Sequence, residues 1–155
     1  MKADYVNPFF MSTKEVFRLM LGLDVIRGDL RILEDMVPSK EANALLGVTG
    51  DLQGSVLFSY PREMALEMVR IMSGMDMHEI DSFVSSALGE VANIIGGNAV
   101  TKLTESRLTC DIVPPQVFVG EYKSLSMATG KALLIPLRTS IGEFDMTVFL
   151  KENTK

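Results

Sequence analysis

The sequence predicts an α+β domain in which an antiparallel β-sheet is covered by helices, one of them long and central. Three observations predict it. Two stretches of alternating apolar residues fold back across short glycine-containing connections, the pattern of β-hairpins. Between them lie two runs with apolar residues at helical spacing. Strand, helix and strand never alternate in the repeated way that a parallel sheet requires.

Each element has its own signal. Over residues 12–22, Val16, Phe17, Leu19, Met20 and Leu21 share the segment with Lys14, Glu15 and Arg18, which predicts an amphipathic helix capped by Ser12 or Thr13 and ended by Gly22. Residues 24–34, with Val25, Leu30 and Ile32, read as a strand, and residues 37–42 as a loop with a proline. Residues 45–49 and 55–60 flank the connection Gly50-Asp51-Leu52-Gln53-Gly54 as the first hairpin. Pro61 suits the first turn of a second helix that ends near Gly74. A third helix is expected over residues 78–105, with extended chain at 109–113 and 117–119 around Pro114-Pro115. Residues 132–139 and 144–150, across Ser140-Ile141-Gly142-Glu143, form the second hairpin.

Composition narrows the function. A chain of 155 residues can bury roughly 70% of its unfolded surface, so one domain over residues 1–155 is expected, without disulfide or metal staples. Twenty acidic against fifteen basic residues leave a net charge of −5, and no basic stripe exists to neutralise phosphates, which argues against nucleic acid. A single cysteine, Cys110, excludes an internal disulfide and multi-cysteine metal sites. A single histidine, His78, has no second metal ligand at a suitable spacing and reads as a surface or capping residue. No apolar run reaches membrane-spanning length, and acid comes too early in the first residues for a signal peptide. A soluble protein of the reducing cytoplasm is expected, with no metal or cofactor of its own.

Eleven methionines are the oddest compositional feature, but Met64, Met68 and Met72 recur at four-residue steps, the spacing with which a helix fills a core. Cys110 opens a strand and reads as a small buried hydrophobe. Gly96-Gly97-Asn98 follows helical rather than strand sequence, so it lacks the context of a phosphate loop.

The third helix carries the candidate site. At about 100° per residue, Val84, Leu88, Ala92, Ile95, Ala99 and Leu103 share one side and should face the core. Opposite them stand Ser86, Glu90, Asn93 and Gly97, with Thr101 and Thr104 continuing the stripe. One acid and one amide among small residues could enter a partner's cleft; a solvated helix face is the plainer alternative. Asn is a poor helix former and Gly a worse one, so Gly89, Asn93, Gly96, Gly97 and Asn98 give up helix stability for some other end.

Ser86-x-x-x-Glu90-x-x-Asn93 within SSALGEVANIIGGNA, followed by Pro114-Pro115 within DIVPPQV, resembles the CheC/CheX/FliY family of bacterial chemotaxis phosphatases, most closely the stand-alone CheX type. An opening helix containing Val6-Asn7, then GVTGDLQGSVLFSY, PREMALEMVRIMSG and the closing hairpin extend the resemblance along the chain. CheC-type members carry the acid–amide pair on two helices; here the first helix offers Glu15 with Arg18 in place of the amide, so the resemblance is to the one-site form. It implies a substrate, the phospho-aspartyl form of a CheY-like response regulator, with Mg2+ in that partner's active site. It implies that Asn93 holds the attacking water and that Glu90 pairs with the regulator's lysine. Ser86, Gly97, Pro114 and Pro115 would contact the partner, and a homodimer is expected. The competing expectation is an adaptor that docks on a regulator or flagellar switch component without hydrolysing anything.

Overall fold

The computed structural model describes residues 3–120 and 125–153. In chain order the elements are α1 (Ala3–Val16), extended by a wider π-helical turn (Phe17–Leu21), β1 (Ile26–Arg27), β2 (Arg31–Val37), β3 (Ala42–Gly50), β4 (Leu52–Tyr60), α2 (Arg62–Ser73), α3 (Ser82–Glu105), β5 (Cys110–Val119), β6 (Leu125–Thr139) and β7 (Gly142–Glu152). All strand pairs are antiparallel, in the order β1-β6-β7-β4-β3-β5, and β2 follows β1 along the same outer side of β6. This is the α+β class expected. The two hairpins are β3–β4 and β6–β7, each longer than the alternation suggests.

The helices cover one face of the sheet. Ala42, Ala44, Leu46 and Val48 of β3 alternate inward with Val56 and Phe58 of β4 and Phe144, Met146 and Val148 of β7, and all are buried. Against them pack Phe9, Phe17, Met64, Met68, Leu88 and Ile95 from the helices. Phe17 stacks on Phe144 at 4.9 Å between ring centroids, so the end of the first helix is pinned to β7. Met64 and Met68 are fully enclosed and Met72 packs against the same core, as their four-residue spacing predicts. On the opposite face, Leu57 and Ala132 collect Leu45, Phe118 and Phe149 into a smaller cluster. Beside it, the Ser59 hydroxyl donates to Oδ1 of Asn43 at 2.7 Å, which keeps both buried polar side chains satisfied.

Several boundaries differ from the sequence expectation. The first helix begins at Ala3, so Ser12 and Thr13 are not caps but buried interior residues, and the Thr13 hydroxyl donates back to the Phe9 carbonyl at 2.7 Å. Pro8 lies within that helix and removes a backbone donor. Burial of Tyr5, Val6 and Phe9 around it offsets the loss. The strand expected over residues 24–34 is two strands, β1 and β2, parted at Gly28, whose amide bonds the Pro136 carbonyl at 2.8 Å. β5 runs unbroken through both prolines because they sit in a bulge: Leu45 is opposite Gln116, whereas Gly47 is opposite Val113. As an edge strand, β5 loses no ladder bond on its outer side.

Candidate functional site

The third helix starts at Ser82 rather than at residue 78, because its first free amides are met by Asp81, whose Oδ1 accepts from the Val84 amide at 3.0 Å. His78 lies ahead of it in the connection, exposed, with its carbonyl accepting from Arg62, and has no capping role. Along α3, Val84, Leu88, Ala92, Ile95, Ala99 and Leu103 are all buried, as their spacing predicts, and Val91 and Gly96 join them.

Ser86, Glu90 and Asn93 are exposed on the opposite side, with Gly97 partly covered. Thr101 and Thr104 continue the row, and their hydroxyls turn back to the Gly97 and Val100 carbonyls, each at 3.1 Å. Glu90 and Asn93 behave differently: neither side chain makes a hydrogen bond or ion pair within the described residues. A carboxylate with open lone pairs and an amide with both donors and acceptor unspent therefore stand one turn apart, about 5–6 Å between their β-carbons, on a helix ridge.

β5 lies alongside. A β-carbon on Gly89 would touch Val117 at 3.4 Å, and one on Gly96 would fall 2.7 Å from Leu46 Cδ2 and 3.2 Å from Ile112. The prolines between Ile112 and Val117 thus flank the stretch of helix that bears Glu90 and Asn93, Pro114 exposed and Pro115 half-buried. Gly97 has no such neighbour: a β-carbon there meets nothing within 4 Å. Gly96 is glycine because the sheet is close, and Gly97 leaves the surface open beside Asn93.

The corresponding positions on the first helix are closed. Glu15 is paired with Lys102 of α3 at 2.9 Å and Arg18 with Asp24 at 2.6 Å, so both side chains are engaged in surface ion pairs within the chain. A cleft of about 280 Å³ between α2 and the connection to α3 is lined by Glu63, Glu67, Arg70, Asp76, Met77 and His78, none of them from the ridge. There Arg70, hydrogen-bonded to Glu67, holds that carboxyl below its usual range, as in an ordinary surface ion pair. Cys110 is half-buried rather than enclosed, and burial pushes its thiol up, away from the reactive thiolate. Among the described residues no three carboxylate, histidine or cysteine side chains gather into a metal-binding group, and no helix is long and apolar enough to cross a membrane.

The family described as chemotaxis phosphatase CheX matches residues 42–138, well over half of the chain and inclusive of the whole ridge and both prolines. The chain belongs to the chemotaxis phosphatase CheX family. Its activity class is accordingly that of a phosphatase. The CheY-P phosphatase CheX of Thermotoga maritima is 29% identical over 153 residues, 97% of this chain and 98% of that protein. The crystal structure of the chemotaxis protein CheX from Desulfovibrio desulfuricans matches with a TM-score of 0.85 at 28% identity, covering 96% of this chain and 99% of that one. A crystal structure of the CheX-CheY-BeF3-Mg2+ complex from Borrelia burgdorferi matches with a TM-score of 0.82 at 26% identity, covering 97% and 100%.

One ridge residue escapes the sequence reading. Phe83 lies in the first turn of α3, seven positions before Glu90 and so on the same side, with 46% of its surface exposed. A stripe that starts at Ser86 leaves it out. The seven-residue step from Glu90 is the signal that could have found it, but an aromatic at helical spacing reads by default as core.

Proposed function

We propose that residues 1–155 act as one domain that hydrolyses the phospho-aspartate of a CheY-like response regulator in the cytoplasm, with Asn93 and Glu90 of α3 inserted into the regulator's phosphorylation pocket. The observation that carries this reading is the uncommitted acid–amide pair on a convex, small-residue ridge. A group on a ridge reaches into a partner's cleft instead of receiving a small molecule into its own. The Thermotoga relative bears the name of a CheY-P phosphatase, and the Borrelia CheX is seen with CheY, BeF3 and Mg2+; both support the choice of partner.

The chemistry asks little of the catalyst. Water attacks phosphorus, the bond from phosphorus to the aspartyl oxygen breaks, and the regulator regains its carboxylate while inorganic phosphate leaves. The transition state is loose, so positioning contributes more than a strong base. The Asn93 amide hydrogen-bonds the attacking water and holds it in line with phosphorus. Glu90 pairs with the lysine of the regulator's pocket and fixes the docked geometry. The divalent metal that neutralises phosphoryl charge belongs to the regulator. Ser86 shapes the contact, Gly97 lets the partner surface approach, and Pro114 and Pro115 border it.

Two copies associate through the sheet edge formed by β1 and β2. The other edge, β5, is blunted by Pro114-Pro115, whereas Ile26, Leu30 and Ile32 stand 60%, 45% and 71% exposed along the outer side of β1 and β2, which has no partner strand among the described residues.

Hydrolysis is tested by adding the protein to metal-loaded, chemically phosphorylated CheY-like regulators of the same cell and following phosphate with time. Decay of at least one regulator should accelerate severalfold or more. Decay at the intrinsic rate for every regulator, with binding intact, would leave the non-catalytic adaptor as the correct account.

A further inference from the structure

We propose that Phe83 is the apolar anchor by which the protein grips its regulator, seated on an apolar patch beside the phosphorylation pocket; the proposal rests on the docking reading above. Phe83 shares the exposed side of α3 with Glu90 and precedes it by about two turns, or roughly 10 Å along the axis. A protein–protein interface of ordinary size covers about 800 Å² per partner, a disc of roughly 16 Å radius, so contact centred on Glu90 and Asn93 takes in Phe83.

The remainder of the ridge explains why an anchor is needed. Ser86, Gly97, Thr101 and Thr104 offer little apolar area, and the Glu90 carboxylate gives up hydration as it pairs, a balance that comes near to even. Affinity has to come from apolar burial, and Phe83 is the one large apolar side chain that α3 exposes. Its surroundings suit the role. Ser86, one turn on, is small and leaves the ring accessible, and a side chain with only two rotatable bonds loses little freedom on docking. A helix's first turn otherwise favours acidic or small polar residues. Aromatic anchors surrounded by near-neutral contacts are the usual carriers of interface affinity.

Binding of a CheY-like regulator loaded with Mg2+ and beryllofluoride, an acyl-phosphate mimic, separates anchoring from catalysis. Phe83→Ala should raise Kd at least tenfold, with a matching rise in KM rather than a fall in kcat. Phe83→Leu should recover most of the loss, which a disturbed fold would not allow. Leu19→Ala, which trims an 83% exposed apolar residue on the turn after α1, should leave Kd unchanged. A Phe83→Ala Kd within twofold of wild type overturns the proposal. Tight binding by the wild type that weakens in Phe83→Ala, without accelerated hydrolysis by either, upholds the anchor and removes the phosphatase reading. A wild type that binds none of the cell's regulators removes both.

Discussion

Gly96 and Gly97 are adjacent, and each is glycine for its own reason. A β-carbon at Gly96 is driven into Leu46 and Ile112, whereas one at Gly97 meets open space. Replacing either with alanine gains the same helix propensity, about 1 kcal/mol, so the difference between the two variants isolates packing. Gly97→Ala should be stabilised in urea unfolding, and Gly96→Ala should be less stable than Gly97→Ala by about 1–3 kcal/mol, the cost of overpacking a closed core. Equal stabilities would mean that the sheet yields freely at that point. A larger side chain, in Gly97→Leu, should fold but raise the KM for the phosphorylated regulator. The sequence shows that both glycines cost helix stability and that Glu90 and Asn93 share a face. It does not show which glycine answers to the core, because that depends on how near β5 and Leu46 approach.

The buried stripe from Val84 to Leu103 sets which face α3 exposes, and its start adds stability. Asp81 supplies the cap, and Asp81→Ala should lower the stability to urea by about 1 kcal/mol without moving the site residues off their face. No change in the unfolding midpoint would show the cap to be redundant. The helical period of α3 was legible from its apolar spacing, since Val84 to Leu103 do fill the core. Its start was not, since residues 78–81 carry polar residues of the kind that also open helices. From periodicity α1 was legible only in its second half, and the family resemblance alone put Val6-Asn7 on a helix. Proline inside a helix costs about 3 kcal/mol of propensity, and the tertiary burial of Tyr5, Val6 and Phe9 offsets it around Pro8. β5 read as two pieces because prolines rarely continue a strand, yet a bulge on an edge strand accommodates both.

For the whole molecule, the outer side of β1 and β2 has no partner strand among the described residues and exposes Ile26, Leu30 and Ile32 between the charged Arg27, Asp29, Arg31 and Glu34, and the proposed dimer follows from that. Light scattering should find a dimer that Ile32→Lys, which places like charges across a two-fold edge, converts to monomer. A mutant that stays dimeric would place the interface elsewhere. The sparse catalytic toolkit of the composition, one histidine and one cysteine, agrees with a site in which metal, lysine and phosphate all reside on the substrate protein. The class of fold was legible because hairpins and helical runs are local signals. The order of strands was not, since pairing of β3 with β5, and of β1 and β2 with β6, joins distant parts of the chain. In the proposed mechanism Asn93 positions the attacking water from a ridge docked in the regulator. The most direct test of that role is the decay rate of a saturating phosphorylated regulator complex with Asn93→Ala, measured beside its Kd for the beryllofluoride form. Decay at the regulator's intrinsic rate is expected, with Kd within a few-fold of wild type; full acceleration by Asn93→Ala would remove Asn93 from the role of positioning the water.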